Sequence, residues 1–368
     1  MRQTRALFRS LARAAAPLAL FATFALFGPA AAEAQVATAA PPRVPGAAAV
    51  RIERITVHSP ALEGALEGDS ADREVLVALP PSYGKAPGRR YPVVYALHGY
   101  SIGAQQWTSE IHVPQVIEDA YARGAREMIF VFPDSKTVHN GAMYSSSVTT
   151  GDYETFIARD LVAYVDSHYR TLARRESRGL VGHSMGGYGA TRIGMKHADV
   201  FGALYLMSPC CLSARGLFGV TPEAMQAYAA MKSPADSASL PWAQRGALAA
   251  AAAWSPNPAN PPLYLDLPLT ADGKPRDDVL ARWAANAPLA FVDQYVGNLR
   301  RYAGIAMDVG DKDGLKDDAG RLHEALDRYR IANRFTVYDG DHTSRVAFRF
   351  EEQVVPFFSQ HLAFGAAR

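Results

Sequence analysis

Gly182-His183-Ser184-Met185-Gly186 is a stretch in which a serine could act as a nucleophile. In a G-x-S-x-G turn the serine sits between a strand and a helix at strained backbone angles. The flanking glycines make room for the turn, and the hydroxyl is pushed out above the sheet. Here Arg178–Val181, which reads as a short strand, leads into the motif and a glycine-lined helix start follows, which is the context the motif requires. A serine hydroxyl is unreactive at neutral pH and needs a base within hydrogen-bonding reach, itself oriented by an acid. In strand–serine–helix proteins of this kind the acid and then the histidine follow in chain order. Of the histidines downstream, His197, His323 and His361 fall on segments that read as helices. His342 follows a strand, in Tyr338-Asp339-Gly340-Asp341-His342, and is the expected base. The acid is expected in the turn after the preceding strand, where Asp308, Asp311 and Asp313 are candidates; Asp313, at the end of the turn, is the first choice and Asp311 the second. A tetrahedral oxyanion needs donors, and the backbone N–H groups of Met185 and of Tyr100, in His98-Gly99-Tyr100, are expected to supply them. His98, just before a turn glycine, reads as a structural residue.

That set implies hydrolysis of a carboxylic ester through an acyl-enzyme. The same machinery could pass the acyl group to an alcohol or cleave an amide, and a binding module with a dead site is the remaining alternative. No cofactor or metal is expected. His323-Glu324 begins a zinc-protease pattern, but Asp327 stands where the second histidine is needed. Against a calcium-binding EF-hand loop, Val309 and Gly320 occupy positions that need ligating acids. The expected partner is a small-molecule or carbohydrate-linked ester. A formal net charge of +2, with no basic cluster after residue 50, argues against nucleic acid.

The elements that must hold these residues alternate between strand-like and helix-like. Arg51–His58 and Arg73–Leu79 suggest an antiparallel pair at a sheet edge. Tyr91–Leu97, Met128–Phe132, Arg178–Val181, Phe201–Met207, Ile305–Val309 and Phe335–Tyr338 read as further strands, several as continuous apolar runs. Helices are expected over Tyr153–Tyr169, from Met185 to His197 and near Asp317–Tyr329. This is a doubly wound α/β architecture with a mostly parallel sheet, the α/β-hydrolase fold. The stretch 212–301 breaks the rhythm. It carries Trp242, Trp254 and Trp283, is too long for a connecting loop, and is expected to be a partly helical insertion able to cap the site.

At the start, Arg2, Arg5, Arg9 and Arg13 precede an apolar run to about Phe27, and Ala32-Glu33-Ala34 offers a cleavage pattern. Residues 1–34 are expected to be a signal peptide, which makes the protein exported, periplasmic or secreted, with no stable membrane span after cleavage. Residues 35–49 are expected to be a linker with little fixed structure, and 50–365 the catalytic domain. The only cysteines, Cys210 and Cys211, are neighbours and are expected to be reduced.

Several stretches together resemble the putative-esterase family of α/β hydrolases, which takes in feruloyl and acetyl-xylan esterases, esterase D and the mycolyltransferases. They are Tyr91-Pro-Val-Val-Tyr-Ala-Leu-His-Gly99, Tyr153-Glu-Thr-Phe-Ile157 with Asp166 through Arg170, Gly182 to Tyr188, Gly310-Asp-Lys-Asp313 and the loop around His342. The resemblance implies an acid at Asp313, the end of a G-x-x-D turn, and oxyanion donors at Tyr100 and Met185. Two features depart from it. The insertion is larger than in compact members, and Thr343 and Ser344 follow His342 where feruloyl esterases often carry tryptophan.

Overall fold

The computed structural model describes residues 36–214 and 219–365. The expected signal peptide lies outside them. Eight strands form one sheet: β1 Arg51–His58, β2 Asp72–Leu79, β3 Val93–Leu97, β4 Ile129–Pro133, β5 Arg178–His183, β6 Ala203–Met207, β7 Gly304–Gly310 and β8 Arg334–Tyr338. Their spatial order is β1-β2-β4-β3-β5-β6-β7-β8. The first two strands pair antiparallel with Arg51 opposite Leu79, β2 runs antiparallel to β4, and every later pairing is parallel.

Strands β3, β4 and β6 are apolar throughout because both faces are covered. Val93, Tyr95 and Leu97 enter one buried cluster with Leu180, Leu204 and Leu206. Val94 and Ala96, pointing the other way, join Val181, Tyr205 and Met207 in a second. Helices α1 Ala104–Glu110 and α2 Gln115–Ala122 follow β3, and α3 Leu161–His168 precedes β5, preceded in turn by a π-helical turn at Phe156–Asp160. Beyond the serine runs α4 Met185–Lys196. The expected helix over 153–169 is thus present, with its register changed by the wider turn.

Between β6 and β7 the insertion forms α5 Pro222–Ala229, α6 Trp242–Trp254 and α7 Asp277–Ala285, with a core of its own built from Ala224, Tyr228, Leu248, Ala251, Val279 and Trp283. It is tied to α4 by polar contacts. Arg192 donates to Glu154 (2.6 Å) and to Asn286 Oδ1 (2.9 Å), and the Tyr188 hydroxyl donates to the Asn286 carbonyl (2.9 Å). Burial alone would raise the Glu154 carboxyl, but the charges of Arg192 and Lys196 outweigh it and hold the group below its ordinary value. Two further helices, α8 Lys316–Arg328 and α9 Val355–His361, complete the layers.

One expectation fails here. Described residues of the 35–49 segment carry no helix or strand, yet they are fastened to the body. Val36 N donates to Glu110 (2.7 Å), Val44 N to Asp119 (3.1 Å), Gln115 to the Pro41 carbonyl (2.8 Å), and Arg43 pairs with Glu118 (2.8 Å). The segment is pinned because α1 and α2 present polar side chains that satisfy its backbone, not because it has periodicity of its own.

Asp308, an acid candidate, is a structural residue. Its Oδ2 accepts from Tyr205 Oη (2.7 Å) and Arg349 Nε (2.8 Å), and it is 1% exposed. Replacing Arg349 by leucine removes the ion-pair partner of that buried carboxylate and leaves it the Tyr205 hydroxyl. A loss of about 3–5 kcal/mol in urea unfolding is expected; a shift below about 1 kcal/mol contradicts this.

Candidate active site

Ser184 lies between β5 and α4 with φ 58° and ψ −114°, left-handed backbone that a side chain rarely adopts. Three hydrogen bonds hold it there. Its N–H donates to the Met207 carbonyl (3.0 Å), and its carbonyl accepts from Tyr188 N (3.0 Å) and Cys210 N (3.1 Å). The flanking glycines are required by contact. A Cβ on Gly182 would lie 2.0 Å from the Gly186 carbonyl oxygen, and one on Gly186 would lie 2.0 Å from that of Leu97. Gly186→Ala is therefore expected to cost about 3 kcal/mol or more, or to prevent folding. Gly314→Ala, where a Cβ meets nothing within 4 Å, serves as its neutral counterpart. Equal melting temperatures for the two variants would contradict that steric account.

The Ser184 hydroxyl stands 2.9 Å from His342 Nε2, and His342 Nδ1 stands 2.8 Å from Asp313 Oδ2. Asp313 is buried, and its other oxygen accepts from Leu315 N (2.9 Å). Burial by itself would raise this carboxyl; the hydrogen bond to His342, the charge of that ring and the Leu315 N–H prevail and hold it below the usual aspartate value. Asp311 is directed elsewhere. Its Oδ1 accepts from Gly340 N (2.9 Å) and it is exposed, so the structure brings Asp313, not Asp311, to the histidine.

Gly99 packs against the nucleophile, where a Cβ would lie 3.5 Å from Ser184 Cβ, which sets Tyr100 beside the serine. As the first helical residue of α4, Met185 has a backbone N–H with no partner within the helix. Both residues line the same cavity as Ser184 and His342. His98 is buried and fully engaged, with Nδ1 2.8 Å from the Gly99 carbonyl and Nε2 accepting from Ser135 N (2.8 Å). Burial depresses its pKa, so it holds the loop as a neutral ring.

His183 is a further residue of the site that the sequence motif does not mark. Its Nε2–H donates to the His342 carbonyl at 2.9 Å, with the two rings 4.8 Å apart. Burial, reinforced by the His342 charge, drives its pKa down to about 3, so it stays neutral. It occupies the free position of G-x-S-x-G, and no sequence signal distinguishes it.

The cavity measures about 610 Å³. Tyr100, Met143 and Met185 wall it from the body, and Trp242, Trp254 and Trp283 from the insertion. Trp242 packs edge-on against Tyr100 with ring centres 5.3 Å apart, and its indole N–H donates to Ser101 Oγ (2.9 Å).

The sheet order, with a serine on the sharp turn after β5 and a histidine in the loop after β8, defines an α/β hydrolase. Residues 70–353 match the family described as Putative esterase, and the chain belongs to that family. An esterase of Mycobacterium tuberculosis is 33% identical over 131 residues, 34% of this chain and 27% of that protein. An endo-1,4-beta-xylanase/feruloyl esterase of Xylanibacter ruminicola is 26% identical over 137 residues, 36% of this chain and 19% of that one. The alignments thus span about a quarter or less of these relatives. Among solved structures, a ferulic acid esterase superposes with a TM-score of 0.59 at 24% identity, over 85% of this chain and 99% of that one. An S-formylglutathione hydrolase of Agrobacterium tumefaciens gives 0.56 at 15% identity, over 85% and 96%. Both share the fold.

Proposed function

We propose that the protein is a serine carboxylic-ester hydrolase in which Ser184, His342 and Asp313 act as nucleophile, general base and orienting acid. The observation that carries this is the unbroken chain of hydrogen bonds from the Ser184 hydroxyl through His342 to Asp313, opening on an apolar cavity. Ser184 Oγ attacks the ester carbonyl while His342 Nε2 takes its proton. Asp313, accepting from Nδ1–H, fixes the tautomer and stabilises the imidazolium without taking a proton. The backbone N–H groups of Met185 and Tyr100 donate to the oxyanion, a contribution of about 3–4 kcal/mol for a single donor in comparable sites. The imidazolium returns its proton to the leaving alcohol; water, activated by the same nitrogen, then frees the acid. His183, through the His342 carbonyl, positions the base.

The insertion acts as a cap over the acyl site, and its tryptophans suit an apolar or aromatic acyl group. Export through a signal peptide at residues 1–34 completes the reading; among the described residues no helix is long and apolar enough to cross a membrane. The test is hydrolysis of p-nitrophenyl esters from acetate to decanoate alongside methyl ferulate. Turnover that rises with acyl length or with an aromatic acyl group is expected from this cavity. Equal rates for all esters would remove the cap from substrate choice, and complete inertness would overturn the reading.

A further inference from the structure

We propose that Cys210 and Cys211 are a reversible redox site in the wall of the catalytic cavity, two thiols under reducing conditions and a disulfide between neighbours under oxidising ones. The pair follows β6 directly, after Ser208 and Pro209, and is the only cysteine pair in the chain, so neither sulfur has another intramolecular partner. The two Sγ atoms face one another at 2.6 Å as free cysteines. Both residues line the cavity with Ser184 and His342 and both are partly exposed, so a small reagent can reach them.

Chemistry decides what such a pair is for. Neighbouring Cα atoms are about 3.8 Å apart, below the usual span of roughly 4.4–6.8 Å for a disulfide. The ring is strained and readily reduced, which suits a labile bond rather than a structural one. With no residue enclosed between the two cysteines, the bond also removes almost no unfolded-state entropy. The step balances with a low-molecular-weight disulfide or a thiol–disulfide oxidoreductase as oxidant. One cysteine thiolate attacks a reagent sulfur and releases a thiol. The neighbouring cysteine then attacks the mixed disulfide and releases the second. Two S–H bonds become one S–S bond, and two electrons with both protons leave on the reagent thiols.

The link to catalysis is the backbone. Cys210 N–H donates to the Ser184 carbonyl at 3.1 Å, and Cys211 holds φ 58°, so closing the ring strains the turn that supports the nucleophile. The activity readout rests on the Ser184 reading, whereas the thiol and mass readouts do not.

The full chain is equilibrated in graded mixtures of glutathione and glutathione disulfide, its remaining thiols are alkylated with iodoacetamide, and its mass, peptides and ester hydrolysis are measured. Under oxidising mixtures the peptide carrying Cys210 and Cys211 is expected to lose two hydrogen atoms and retain no glutathione. The kcat/KM is expected to fall roughly tenfold, as small displacements at a reacting centre produce, and to recover with dithiothreitol. In the Cys210→Ala/Cys211→Ala variant the ratio of oxidised to reduced activity should be one, whatever its basal rate. Two alkylated cysteines at every ratio, or a persistent glutathione adduct, would overturn the site. A linked protein that hydrolyses ester at the reduced rate would overturn its coupling to catalysis.

Discussion

Replacing Ser184 by alanine is expected to lower kcat/KM for ester hydrolysis by about 10⁴-fold or more. Among the described residues the hydroxyl is hydrogen-bonded to His342 alone. The backbone bonds to Met207, Tyr188 and Cys210 do not involve the side chain. Alanine meets the same steric cost at φ 58° as serine, so the melting temperature should move little. What remains is the contribution of the oxyanion donors and of binding, which persists in comparable enzymes without their nucleophile. A variant retaining more than about a tenth of the activity would remove Ser184 from the mechanism.

Asp313→Asn is the second large effect, expected at about 10⁴-fold in kcat. An asparagine amide can donate to His342 Nδ1 instead of accepting from it. That places the ring proton on Nε2, where the serine proton must go. Asp311→Asn should change kcat by less than about threefold, because Asp311 binds the Gly340 N–H at the surface rather than the histidine. Reversal of the two effects would exchange their roles. The carboxyl of Asp313 also carries a pH signature. Its folded-state pKa is held below the ordinary value, so its contribution to stability is present above about pH 4 and is lost as pH falls through the lowered value. Acid unfolding of Asp313→Asn should lack that component.

How far these features could be read from sequence depends on which forces leave a pattern. Strands β3, β4 and β6 stand out because burial on both faces demands continuous apolar runs. The turn around Ser184 is visible because Cβ atoms at 182 and 186 would collide with backbone, which leaves glycine as the solution. The insertion helices were hidden. In α6 the residues Gly246 to Ala253 are all buried, so no polar face marks a helical period. The fastening of residues 36–49 leaves no local pattern because their anchors, such as Glu110 and Asp119, lie some 75 residues away in sequence. The choice between Asp311 and Asp313 needed the loop conformation, since the two sit in one short turn and differ only in direction. His183 escaped notice because its work is done by a ring nitrogen on a neighbouring carbonyl, which no motif encodes.

Trp242, Trp254 and Trp283 of the insertion line the same cavity as Ser184, and the proposed role of the insertion as a cap makes them the residues expected to bear on substrate choice. In feruloyl esterases a tryptophan often follows the histidine, whereas here Thr343 lines the cavity and the tryptophans come from the insertion, with Tyr100 from the body. Trp242, packed edge-on against Tyr100, joins the cap directly to the loop proposed to donate to the oxyanion.

The measurement that bears most directly on the central claim is labelling of the purified protein with a fluorophosphonate, followed by mass mapping of the modified peptide. The account predicts one label per chain, on Ser184, with labelling abolished in Ser184→Ala and slowed in His342→Ala. No label, or a label on another residue that persists in Ser184→Ala, would contradict it.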